Sequence, residues 1–248
     1  MTNAEVFELL DRLYPCETAL PFDNPGFLVG DRGATVEKVL VCLDCGLSAV
    51  QEAVKRGCTL IVTHHPVIFD ALKSVTEESV VFAALQAGVS VISMHTNLDM
   101  GENGVNDCLA RAIGLHNIED YRTSDGYLTR TGEVDPVMPQ EFAEMLKTEL
   151  GGRVKYTAPE KPIRKVLLCS GSGGDYIHEL PRSGCDALVT ADVKHNYFVD
   201  AFNNGLALFD AGHFETEDVV VEPLAEMLRN AFPELTVETY HPEMLKYC

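Results

Sequence analysis

The chain has 248 residues, 46% of them hydrophobic, enough for a substantial core in one large domain or two small ones. Its 38 acidic and 19 basic residues leave a formal net charge of −19. That field repels phosphate backbones and anionic lipid, which argues against nucleic-acid and membrane partners; an anionic small substrate stays admissible, because a divalent metal pair reverses the local sign.

The opening stretch, MTNAEVFELLDRLYP, has no basic n-region and no long apolar core, so it does not read as a signal peptide. No apolar run approaches the roughly 20 residues of a membrane span. The cytoplasm is the expected compartment. DNPG (23–26) is a turn signal. VEKVLVCLD (36–44) reads as a strand, LSAVQEAVKRG as a helix and CTLIVT (58–63) as a second strand. Thr76 is placed to cap a helix over EESVVFAALQAG, VSVISM (89–94) is a third strand, and Asn103 is placed to cap GVNDCLARAIG. This βαβαβ rhythm means a parallel sheet. Further on, YLTRTGEV reads as a strand, PQEFAEMLKTELGG as a helix with Pro near its start, and RVKYTA as a strand.

After residue 160 the first pattern returns. KVLVCLD…GCTLIVTHH at 38–65 aligns without a gap on KVLLCSG…GCDALVTAD at 165–192. GVSVISMHTNLD then matches GLALFDAGHFETE, each with a His and an acidic residue at i+4. The expected architecture is α/β, two similar lobes from an internal duplication, with strand C-terminal ends facing a shared cleft. The expected boundaries are a first lobe at 1–125, a connecting strand–helix–strand segment at 126–160 and a second lobe at 161–248, with the polar, Pro-containing TAPEKP (157–162) near the join.

Three apolar runs end in clusters that suit metal ligation. LIVTHHP delivers His64 and His65, VISMHTNLD delivers His95 and Asp99, and ALFDAGHFETE delivers His213 and Glu217. Imidazole with carboxylate accepts Zn, Fe, Mn, Co or Ni. Adjacent histidines on an extended chain point in opposite directions, so His64 and His65 share a site only if the backbone turns sharply, as Pro66 favours, or if each serves its own ion. Two divalent ions per chain are expected, with Asp99 and Glu217 as bridging carboxylates. His95 either ligates or orients a ligand, and the second role is favoured. Glu215 is a candidate general base. TADVKHN brings Asp192, Lys194 and His195 to the position equivalent to THH, near the cleft or as a capped helix start. GSGGD (171–175), with Gly173 and Gly174, follows a strand and can cradle a phosphate through backbone N–H groups, although it lacks both GxGxxG and a P-loop lysine. The eight cysteines, including the Cys42–Cys45 pair, read as buried free thiols in a reducing compartment.

DNPGFLVG, THHPVIF, HTNLD, CSGSGGD, VTADVKH and GHFETE occur in the order seen in the NIF3 family, also called the dinuclear metal centre or GTP cyclohydrolase I type 2 family. The chain resembles that family over nearly its whole length. The resemblance implies two α/β lobes, a two-metal site and a hexameric toroid, with His64, His65, Asp99, His213 and Glu217 as ligands. Longer members insert an extra domain between the halves, for which this chain has no room. The implied activity is metal-dependent hydrolysis, in its cyclohydrolase form the opening of the imidazole ring of a guanine nucleotide with formate release. Glu215 or Asp192 would move protons, and Lys194, His195 or the GSGGD backbone would meet phosphate. The alternative is a non-enzymatic metal-binding scaffold or metal-handling protein.

Overall fold

A computed structural model describes residues 1–242 of the chain. They form two compact units, one built from Met1–Gly101 and the segment from Val221 onward, the other from Glu102–Val220.

The first unit opens with α1 (Asn3–Leu13). Its start is fixed by a capping box: the Thr2 backbone N–H donates to Glu5 at 2.6 Å and Glu5 N–H donates to the Thr2 hydroxyl at 3.4 Å. Then come β1 (Gly26–Val29), β2 (Lys38–Cys42), α2 (Leu47–Arg56), β3 (Leu60–Thr63), α3 (Val80–Gln86), β4 (Ser90–Ser93) and the short α4 (Thr96–Met100). β2, β3 and β4 are parallel neighbours, and β1 closes one edge antiparallel to β4. Nearly every residue of these three strands is buried, as expected of a sheet covered on both faces.

The second unit runs through α5 (Val105–Ala112), β5 (His116–Arg122), β6 (Leu128–Val137), α6 (Pro139–Leu150), β7 (Lys155–Tyr156), β8 (Ile163–Ser172), α7 (Leu180–Ser183), β9 (Ala187–Ala191), α8 (His195–Asn203), β10 (Ala207–Asp210) and α9 (His213–Glu217). Its six-stranded sheet has the order β5-β6-β8-β9-β10-β7. β8, β9 and β10 are parallel, repeating the β2-β3-β4 arrangement. The fold is α/β with two similar lobes. Phe142 of α6 and Phe209 of β10 meet edge to face at 5.1 Å, both fully buried, at the centre of the second core.

The chain then returns to the first unit with α10 (Val221–Ala231) and β11 (Thr236–Tyr240), which pairs parallel to β2 from Thr236↔Lys38 to Tyr240↔Cys42. The expected boundaries at 125/126 and 160/161 therefore differ from the observed divisions, which fall at 101/102 and 220/221. The segment 126–160 is no connector: β6, α6 and β7 belong to the second sheet and its core.

Local corrections have local causes. The cap of α3 is Ser79, whose hydroxyl accepts from Phe82 N–H, while Thr76 only accepts a bond from Ser79 through its carbonyl. Gly104 caps α5, and Asn103 sits one residue earlier in the left-handed region. RVKYTA shrinks to the two residues of β7, on the sheet edge beside β10. The seven described cysteines are free thiols, and Cys42, Cys45, Cys58, Cys108 and Cys169 are buried.

Candidate metal centre

In the first unit the donors stand at the C-terminal ends of β3 and β4, where parallel sheets place their sites. β3 stops at Thr63, whose hydroxyl donates to Leu43 O at 2.6 Å, and His65 N–H donates to the same carbonyl at 3.0 Å. The chain turns there, which brings the His64 and His65 rings to one side, with centroids 4.9 Å apart. The sharp turn that adjacent histidine ligands require is present.

Each ring is held through Nδ1. His64 Nδ1 lies 2.9 Å from Met94 O, which fixes Nδ1 as the protonated nitrogen and leaves the lone pair on Nε2. That Nε2 is 3.5 Å from Asp99 Oδ1, on α4. His65 Nδ1 lies 2.7 Å from Asp44 Oδ1, and His95 Nδ1 lies 2.7 Å from Asp23 Oδ1. One donor atom from each of His64, His65 and His95 falls within 4.8 Å of the others, so this trio can hold an ion. His95 is therefore near enough to His64 and His65 to serve with them as well as to pair with Asp23. Its anchor Asp23 is deeply engaged. Burial pushes this carboxyl up, but hydrogen bonds from His95 and Thr96 outweigh it and hold it down from 3.8 to about 2.

In the second unit His213 opens α9 and Glu217 ends it. The His213 ring lies between two carboxylates: Nδ1 is 2.7 Å from Asp192 Oδ2 and Nε2 is 2.9 Å from Glu217 Oε2. The Glu217 hydrogen bond outweighs partial burial and, with Asp192, raises His213 from 6.5 to about 9. The proton on Nε2 supplies positive charge beside Glu217; without it, the same two groups make a His/carboxylate donor pair. The chemistry of both donor sets therefore suits a borderline divalent ion.

The remaining expected residues sort by position. Asp192 has φ 51° and caps no helix, since Lys194 is the cap of α8; it orients His213 instead. Glu215 is 8% exposed and packs against the backbone of Gly212 and Gly152, where a Cβ at either position would overlap its carboxylate. Lys194 and His195 are exposed. His195 lines a surface hollow of about 400 Å³ with Lys155, Tyr156, Phe198 and Phe202. The phosphate-cradle expectation for GSGGD needs correction. Gly173 N–H donates to Thr190 Oγ1 at 2.9 Å and Gly171 N–H to Thr216 Oγ1 at 3.1 Å, so neither amide is offered to a phosphate. Gly174 is buried against Tyr197 and Val193. Gly171, at φ 58°, has another role: a Cβ there would overlap Glu217 Oε1 and crowd His213.

Sequence reasoning missed Asp44 and Asp23. Asp44 ends the VEKVLVCLD strand reading, and an acidic residue at a strand end beside a histidine cluster is itself a signal. Asp23 was legible only as the first residue of a turn. The two halves also differ in register at their third strand: His95 precedes α4 as its cap, whereas His213 is the first residue of α9.

The chain is similar to proteins of known sequence and structure along its length. A Clostridium acetobutylicum protein named GTP cyclohydrolase 1 type 2 homolog is 29% identical over 95% of this chain and 92% of its own length. A Nostoc protein of the same name is 32% identical over 78% of each chain. The crystal structure of Staphylococcus aureus hypothetical protein SA1388 matches with a TM-score of 0.93 at 28% identity, covering 100% of this chain and 99% of that one. Reduced HcgD from Methanocaldococcus jannaschii matches with a TM-score of 0.83 at 26% identity, over 96% and 97% of the two chains. With the model of the family matching residues 1–244, the chain belongs to the Duf34/NIF3 (NGG1p interacting factor 3) family.

Proposed function

We propose that the protein is a metal-dependent hydrolase holding two divalent ions. His64, His65, Asp99, His213 and Glu217 would be the ligands, with His95 in an orienting role. The observation that carries this reading is the Nδ1 anchoring. Four histidines at strand ends have Nδ1 fixed by Met94 O, Asp44, Asp23 or Asp192. This is how metal-binding imidazoles are set in tautomer and direction, and a packed core has no need of it. When bound, a pair of ions supplies Lewis acidity and lowers the pKa of water towards neutrality.

The chain's own residues would do the rest. Asp44 and Asp192 keep His65 and His213 oriented. Glu215, two residues from both His213 and Glu217 in the sequence, would be the carboxylate that carries a proton. Lys194, exposed, supplies positive charge for an anionic substrate. The name of the curated relatives supports a guanine nucleotide as substrate, with ring opening and formate as product. The resemblance carried by the sequence motifs implies a homohexameric toroid, and the cytoplasm is the compartment in which we place its activity.

The test is a screen of nucleotides and phosphoesters with protein loaded separately with Zn, Mn and Fe(II), and with His64→Ala as control. Turnover that tracks metal content, and loss of at least one ion in His65→Ala or Glu217→Ala by elemental analysis, is the expected result. Two bound ions with no turnover on any substrate would assign the protein to metal-binding scaffolds or metal handling instead.

A further inference from the structure

Two exposed phenylalanines stand beside the histidine cluster of the first unit. Phe22 is 62% and Phe69 46% exposed. Their ring centroids are 6.2 Å apart, with planes at 41°. Phe69 meets the His95 ring edge to face, with centroids 6.0 Å apart and planes at 80°. Leaving such rings in water forgoes the gain of burying a large apolar side chain.

The loops that carry them are fastened. Asn24 Nδ2 donates to Ile68 O at 2.7 Å, tying one loop to the other. Val67 and Ile68 pack against the first unit's core. Asp23, directly after Phe22, holds His95 Nδ1 at 2.7 Å and Thr96 N–H at 2.9 Å. The two rings are therefore presented from anchored backbone, next to an imidazole of the donor trio.

We propose that Phe22 and Phe69 form a stacking platform for the planar heterocycle of the substrate. Aromatic side chains stack any flat base through its π-face, and a platform beside His95 would bring the edge of that ring to the donor cluster. A purine base fits this description, whereas a simple phosphoester does not use the platform. The choice of guanine as the probe rests on the hydrolase reading given above; the platform itself rests on the ring geometry.

The experiment measures equilibrium binding of guanosine and, separately, of inorganic triphosphate to the metal-loaded full chain. Phe22→Ala and Phe69→Ala should each weaken guanosine binding about tenfold, the order that base–aromatic stacking gives. Both should leave metal content and triphosphate binding unchanged, and Phe69→Tyr should restore guanosine affinity. Wild-type affinity in both alanine variants would overturn the proposal, as would the absence of guanosine binding to wild type. A change of native mass in the variants with guanosine affinity kept would also overturn it, assigning the rings to a contact between copies. If wild type turns over phosphoesters but ignores guanosine, the platform falls and the hydrolase reading stands. Ring-dependent guanosine binding without turnover leaves the platform standing and removes the hydrolase.

Discussion

Replacing Asp23 with Asn should cost the first unit substantial stability. Asp23 Oδ1 accepts from His95 Nδ1 and from Asn24 N–H, both at 2.7 Å, and Oδ2 accepts from Thr96 N–H at 2.9 Å and its hydroxyl at 2.5 Å. An asparagine offers one oxygen and one NH₂ group. Two donors keep an acceptor, and two face another donor. At about 1 kcal/mol for each lost bond, and more for donors left unmet, the cost is about 2–4 kcal/mol. The depressed carboxyl gives a second measure. Moving from 3.8 to about 2 corresponds to about 2 kcal/mol of folded-state stabilisation. Because the folded-state value is the lower one, that contribution is present above about pH 4 and disappears as pH falls through about 2. In thermal melts of chelator-treated protein at pH 7, the variant should unfold roughly 4–16 °C lower, at about 2–4 °C per kcal/mol for a chain of this size. The gap should persist at pH 5 and narrow towards pH 2. A melting temperature within 1 °C of wild type would refute the claim that this carboxylate organises the loop.

Gly171→Ala should lower metal content without removing a ligand, because the new Cβ overlaps Glu217 Oε1 and the residue sits at φ 58°; unchanged metal by elemental analysis would show that Glu217 is no ligand or that it moves freely. Metal-free protein should lose stability as pH rises from 6.5 through about 9, since His213 has its value raised and its ion pair is complete only below the ordinary value; Glu217→Gln should flatten that fall, and parallel pH profiles in the two proteins would count against the pair. Cys45→Ser should leave metal content intact, because burial pushes the Cys45 thiol up to about 12 and Cys45 packs in the core; parallel metal loss would bring the CLDC segment into the site.

The parallel strands were legible because each is a short apolar run closed by a turn or a polar cluster. KVLVC, LIVT and SVIS are buried at nearly every position, so composition alone marks them. β5 was not legible. HNIEDYR is mostly exposed at the edge of its sheet and carries neither an apolar run nor alternation. The donors were legible because each falls where a strand ends. Their anchors were legible only in part, since Asp44 lies 21 residues from His65 and Asp23 72 from His95, distances that pairing in space ignores. The GSGGD glycines show how one signal admits two causes. A glycine-rich turn after a strand suits a phosphate, but Gly171 is needed so that Glu217 can approach, and the Gly173 amide is already bonded to Thr190.

The position of β11 bears on how the protein is made. The unit built from 102–220 is one continuous stretch and has its whole core once Val220 has been synthesised. The other is discontinuous. β2 is the second strand translated, yet one side of it has its partner only when Thr236–Tyr240 arrives, almost 200 residues later. Until then Lys38–Cys42 presents an open parallel edge of nearly continuous apolar side chains, the kind of surface that invites pairing with another chain. On the ribosome the middle of the sequence, 102–220, therefore completes its unit first, and the unit that carries His64, His65 and His95 is completed last. A stop codon after Val220 would leave a complete second sheet tethered to a first sheet lacking its last strand, a species bound for aggregation or degradation rather than for partial activity.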